Sequence, residues 1–175
     1  MKTSQRLYVT QTLNESVPVE LDAGQAHYLA HVLRLTSGSE VLLFNGRDGE
    51  WVARLQSVNK KGGLVVCTRQ SRPQDVVPNL WLLFAPIKGD RTDYIVEKAT
   101  ELGAAGIIPV ITERTIVRKV NLDKLRARCI EAAEQCERLS IPEVMDAMPL
   151  SSFYNTPPDE KIGRASCRER VLMPV

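Results

Sequence analysis

The chain has 175 residues, 43% of them hydrophobic and 25% charged, ordinary values for one globular domain or two small ones. Its 23 Lys+Arg against 21 Asp+Glu leave a net charge of only +2, which excludes a uniformly basic nucleic-acid binder and confines any anion-binding surface to a local patch. No apolar run reaches the roughly 18 residues of a membrane span, and "MKTSQRLYVTQ" lacks a signal-peptide core, so a cytoplasmic protein with no membrane partner is expected.

The first seventy residues read as short strands around one helix. "RLYVT" (Arg6 to Thr10) and "SVPVEL" (Ser16 to Leu21) alternate polar and apolar positions. "DAGQAHYLAHVLRL" has helical apolar spacing at Ala26, Leu29, Val32 and Leu33, with Asp22 as a cap. "EVLLFNGRDGEWVARLQSV" is a strand, a Gly-rich turn at Asn45 to Gly49 and a second strand, and "GLVVCTRQ" follows a Lys-Lys-Gly-Gly turn. Strands of this length with one helix predict a small β-barrel over residues 1–72. "SRPQDVVPN" carries two prolines and little periodicity, which predicts a linker over residues 73–79.

From Leu80 the pattern changes to alternating β and α. "LWLLFAPI" and "AGIIPVIT" are continuous apolar runs, as strands buried on both faces would be. "DRTDYIVEKATELG" is a helix closed by Gly103, "NLDKLRARCIEAAEQCERLS" is a long helix capped near Asn121, and "IPEVMDAMPL" begins extended. The alternation predicts an open, mostly parallel α/β sheet over residues 80–161, so the chain is an α+β two-domain protein. Its strands stop near Leu150, fewer than a doubly wound sheet needs.

The candidate chemistry is anion binding. His27, His31 and Arg34 fall on neighbouring helical turns and make either a phosphate-binding face or a plain solvated one. "PIKGDR" puts Lys88 and Arg91 where a buried strand turns into a helix, the usual ligand edge of an open α/β sheet. "TERTIVRKV" adds Arg114, Arg118 and Lys119 after the next strand, and two basic strand ends together fit a polyanion better than either alone. Glu131, Glu134, Gln135 and Arg138 share two helical turns, with Glu134 and Arg138 at ion-pair spacing. Cys67, Cys129, Cys136 and Cys167 have no CxxC spacing, so no metal site is expected, and Cys136 lacks a partner histidine for covalent catalysis. There is no GxGxxG, Walker A or HExxH motif.

The stretches "HYLAHVLRL", "LLFNGRDGEW", "APIKGDRTDYIVEKATELGAAGIIPVITERT" and "IEAAEQCERLSIPEV" together resemble the RsmE family of 16S rRNA uridine-N3 methyltransferases, of the SPOUT class. The resemblance runs from about Arg6 to Leu150. It implies a PUA-like barrel that docks rRNA, then a trefoil-knotted methyltransferase domain that dimerises and uses S-adenosyl-L-methionine. The reaction implied is methyl transfer to N3 of a uridine in 16S rRNA of the small ribosomal subunit. Removing the N3 proton leaves an anion that a positive environment stabilises. On this chain the resemblance makes His27 and Arg34 RNA contacts of the barrel, and Lys88, Arg91 and Arg114 the lining of the groove toward the catalytic domain. It places Glu134, Gln135 and Arg138 on a helix facing the site or the dimer partner. It names no general base.

The family's Gly-Pro-Glu-Gly-Gly loop and its later Leu-Gly-x-Arg-Ile-Leu-Arg-x-Glu-Thr-Ala segment are not in the sequence. The resemblance therefore describes a C-terminally truncated, inactive chain with no cofactor-binding residues of its own. The alternative reading is a non-catalytic RNA-binding module. Residues 162–175 hold three arginines and one acid, the whole of the net charge. One codon choice for "IGRASCRERV" reproduces a common sequencing-library adapter read in frame, so this stretch is expected to be a non-native tail.

Overall fold

The structure, a computed structural model, describes residues 5–155 apart from Lys60. The expected tail at residues 162–175 lies outside the described residues. Strands β1 (Arg6–Tyr8), β2 (Pro18–Leu21), β3 (Glu40–Phe44), β4 (Glu50–Asn59) and β5 (Gly62–Arg72) form one sheet in the order β1-β3-β4-β5-β2. β1 runs parallel to β3, and the other pairs are antiparallel. Alternation sends Val41 and Leu43, Ala53 and Leu55, and Val65 and Cys67 to one side. Three register shifts between β4 and β5 bend these long strands, and the sheet curls around that single core.

Helix α1 (Ala23–His27) starts at a capping box: the Asp22 side chain accepts from Gln25 N at 2.8 Å, and Asp22 N donates to Gln25 Oε1 at 3.2 Å. It widens into a π-helical segment, Tyr28–Val32, whose Leu29 is fully buried in the barrel core. β5 extends to Arg72, so the first two residues of "SRPQDVVPN" lie in the strand. Gly49 is a glycine by necessity: its φ is 78°, and any side chain there would run into the Arg72 carbonyl.

In the second domain β6 (Trp81–Phe84), β7 (Gly106–Ile111), β8 (Glu143–Val144) and β9 (Met148–Pro149) are parallel. β8 and β9 run along the same neighbour, β7, pairing Val144 with Ile107 and Met148 with Val110; the extra residue between them makes a bulge. Helices α2 (Arg91–Glu101) and α3 (Leu122–Gln135) pack on each other and on Phe84, Ile107 and Val144. Ile108, Val110 and Phe153 form a separate cluster, completed by Trp81, Leu83 and Leu150, the first residue of α4 (Leu150–Asn155).

Two sequence expectations change. β6 is half-buried rather than sealed on both faces, because it pairs only with β7 among the described strands. The long helix stops at Gln135 instead of running to Ser140, because Glu137 takes a left-handed conformation (φ 61°) that no α-helix can continue.

Candidate nucleic-acid interface

Parallel pairing of β6 and β7 brings their carboxyl ends to one edge, so the loops that follow them meet. Together with the first turns of α2 and α3 they enclose a cleft of about 250 Å³ lined by Ile87, Lys88, Gly89, Lys119, Asn121 and Lys124, among others. The first loop is folded back by Thr92, whose Oγ1 accepts from Ile87 N at 3.1 Å and donates to Ile87 O at 2.8 Å. In the second loop Thr115 Oγ1 accepts from Thr112 N at 2.9 Å, and Asn121 Oδ1 caps α3 by accepting from Lys124 N at 3.0 Å. The lone acid of the cleft, Asp93, is mostly buried and pairs with Lys124 Nζ at 2.7 Å. Lys88 and Lys119 are exposed and have no ion-pair partner among the described residues. Three ammonium groups against one carboxylate, at the mouths of two helices, suit phosphate.

Of the basic residues expected at the two strand ends, Lys88 and Lys119 line the cleft; Arg91, Arg114 and Arg118 are exposed and outside its lining. Lys124 was not singled out by the sequence reading. Its signal was available: it stands three residues after the cap Asn121, which fixes it in the first turn of α3.

On the barrel, His27 and His31 lie with ring centroids 4.8 Å apart, and both are exposed. Arg34 follows the helical segment at φ 56°, exposed, and Tyr28 and Val32 share this surface. The structure therefore keeps His27 and His31 together, with Arg34 just past the same helical segment, on a different domain from the lysine cleft.

Glu134, Gln135 and Arg138 fall at the junction of the domains, and the expected Glu134–Arg138 ion pair is not formed. Helix α3 ends before Arg138, and its guanidinium turns to the end of α2, donating to Thr100 O (2.9 Å), Ala104 O (2.6 Å) and Ser140 Oγ (2.8 Å). Glu134 Oε1 instead accepts from Tyr8 N of the barrel at 2.8 Å, and burial pushes its carboxyl above the ordinary range. Gln135 is exposed.

The residue that joins the domains is Arg6. It is 4% exposed and donates to Glu50 Oε2 (2.8 Å), Ala133 O (2.8 Å), Glu134 O (3.2 Å) and Arg138 O (3.0 Å), with its guanidinium 4.5 Å from the Phe44 ring centroid. It thus meets the free carbonyls and negative dipole end of α3. Arg72 donates to the same Glu50 Oε2 at 2.9 Å and to Glu137 O at 2.9 Å. Burial raises the Glu50 pKa, but hydrogen bonds from Arg72 and Arg6 outweigh it and hold the carboxyl below its ordinary range. Phe44, Ala133 and Leu139 close an apolar contact beside this network.

Comparison with known proteins agrees with this architecture. Residues 74–171 match the RNA methyltransferase domain, and residues 21–66 match the RNA methyltransferase PUA domain. The chain is similar to ribosomal RNA small subunit methyltransferase E of Rickettsia conorii, 35% identical over 149 residues, covering 85% of this chain and 61% of the relative. The protein of the same name from Synechocystis is 31% identical, over 85% of this chain and 49% of that one. The chain thus spans between about half and three-fifths of the length of these curated relatives. Among solved structures, ribosomal RNA small subunit methyltransferase E from Neisseria gonorrhoeae, bound to S-adenosyl methionine, superposes with a TM-score of 0.80 at 27% identity, over 90% of this chain and 67% of that one. A PUA-like domain followed by a SPOUT-type methyltransferase fold, matched over more than half of the sequence, makes this chain a member of the RNA methyltransferase family.

Proposed function

We propose that the chain serves S-adenosyl-L-methionine-dependent methylation of N3 of a uridine in 16S rRNA, in the cytoplasm, as part of a homodimeric enzyme. The observation that carries the reading is the lysine cleft: two basic loops converge at the ligand edge of a domain in the RNA methyltransferase family. The similarity to ribosomal RNA small subunit methyltransferases supports small-subunit rRNA as the substrate. No described helix is long and apolar enough to cross a membrane.

The cleft fits RNA phosphate and does not fit the cofactor, since Lys88, Lys119 and Lys124 repel a sulfonium cation. The work of these residues is to hold and orient the RNA backbone, while the Arg6 junction fixes the barrel relative to the cleft. That misfit also favours a second reading for residues 5–155 by themselves, a non-catalytic RNA-binding module. Titrating S-adenosylmethionine into the 175-residue chain separates the two, heat of binding belonging to the first and its absence to the second.

The substrate is tested by deleting the gene, digesting small- and large-subunit rRNA to nucleosides, and measuring 3-methyluridine by mass spectrometry. Its loss from the small subunit alone is the expected result. Unchanged 3-methyluridine there contradicts the proposal.

A further inference from the structure

A second groove, larger than the lysine cleft, is used neither by that cleft nor by the histidine face. This groove, of about 560 Å³, runs between the barrel and α3, lined by Tyr8, Asp22, Gln25, Tyr28, Ile130 and Glu134, among others. It is within the range of sites for small organic groups, roughly 300–1,000 Å³. No lysine or arginine lines it, and Glu20, Asp22 and Glu134 do, so it repels phosphate. It offers flat aromatic surface and hydrogen-bond acceptors instead.

Two side chains define it. Tyr28 is 37% exposed and stands at the rim, lining the groove while its neighbours His27, His31 and Arg34 are exposed outside the lining. Glu134 commits Oε1 to Tyr8 N, and its Oε2 has no hydrogen-bond partner among the described residues. No fully buried side-chain oxygen among them lacks a partner, so Oε2 is not sealed from solvent.

We infer that this groove is a subsite for one unpaired RNA base, stacked on Tyr28 and donating N–H groups to the Glu134 carboxylate, with the adjoining phosphates on the His31 and Arg34 side. The inference rests on the RNA reading above and sharpens it from backbone binding to base selection. Phosphate contacts position a strand, whereas an aromatic platform with a carboxylate reads an unstacked base edge. Guanine is the best match, because its adjacent N1–H and N2–H donors can both be taken by the Glu134 carboxylate, one at the free Oε2 and one at the lone pair of Oε1 not used by Tyr8 N; uracil has a single N–H there. Burial now disfavours the charged form of Glu134, and two donated hydrogen bonds would offset that cost.

The test is fluorescence anisotropy of short labelled single-stranded RNAs that differ only in one central base, with the whole chain. Guanine should bind about tenfold tighter than the other bases, and inosine, lacking the N2 amino group, should lose most of that advantage. Glu134→Gln keeps the acceptor for Tyr8 N and should reduce the preference to about twofold or less. Tyr28→Ala should weaken every base alike, because stacking tolerates any base. Inosine tests the idea with unaltered protein, so it holds even where a variant unfolds. Salt-dependent RNA binding with no base preference, or a preference that survives Glu134→Gln, overturns the groove proposal and leaves the RNA reading standing. Absence of all RNA binding overturns both. Displacement of RNA by excess S-adenosylmethionine from the parent chain but not from Tyr28→Ala also overturns it, since the groove would then hold the cofactor.

Discussion

The domain junction and the lysine cleft use cations in opposite ways. At the junction Arg6 is 4% exposed, and each guanidinium nitrogen donates to an oxygen of Glu50 or of the α3 end. In the cleft Lys88 and Lys119 are solvated and free of ion pairs among the described residues. A buried charge held on all sides fixes structure, and removing it leaves its partners stranded. An exposed charge adds little to stability and remains available to a ligand. The same residue class therefore marks a hinge made rigid in one place and an open binding surface in the other.

The largest expected effect breaks the first half of that comparison. Arg6→Ala removes one of the two arginines that hold Glu50, strips the α3 carbonyls of their donor and should cost about 3–5 kcal/mol, read from denaturant unfolding. Gly49→Ala, which forces a side chain toward the Arg72 carbonyl at a left-handed φ, should cost about 1–3 kcal/mol in the same assay. Acid separates the two junction carboxylates. Glu50 has a folded pKa below the ordinary 4.5, so its stabilisation is complete above 4.5 and is lost as pH falls through the folded value. Glu134 is raised above 4.5, so its ionisation costs stability as pH climbs from 4.5 through its folded value. Comparing the pH dependence of unfolding of Glu50→Gln and Glu134→Gln with the parent should show opposite slopes; parallel slopes would contradict the assignment. Smallest of all, Lys88→Ala should change stability by no more than about 0.5 kcal/mol.

The sequence carried the barrel strands, the β/α alternation and the caps, because those signals are local. Asp22 caps α1, Asn121 caps α3, and Gly103 (φ 93°) lies just past α2, each where its residue type predicts. Arg6 escaped because in "RLYVT" it occupies what reads as a solvent-facing position of an alternating strand. Its partners stand 44 and 127 to 132 residues away, beyond any local pattern. Glu134 and Arg138 were misread for the converse reason. Their spacing satisfies the helical ion-pair rule, but the left-handed Glu137 ends the helix between them and sends the arginine to α2. Of the basic residues expected at the two strand ends, Lys88 and Lys119 reach the lining, and Arg91, Arg114 and Arg118 do not. A strand pairing gathers the two loops, and no spacing within either loop encodes which side chains then turn inward.

The central claim is that the lysine cleft holds RNA backbone while the junction holds the fold. It is tested most directly by the salt dependence of binding of the chain to a small-subunit rRNA fragment, for the parent and for Lys88→Ala with Lys119→Ala. Affinity should fall linearly on logarithmic axes, and each lysine removed should lower the slope by about 1. An unchanged slope in the double variant would contradict the account.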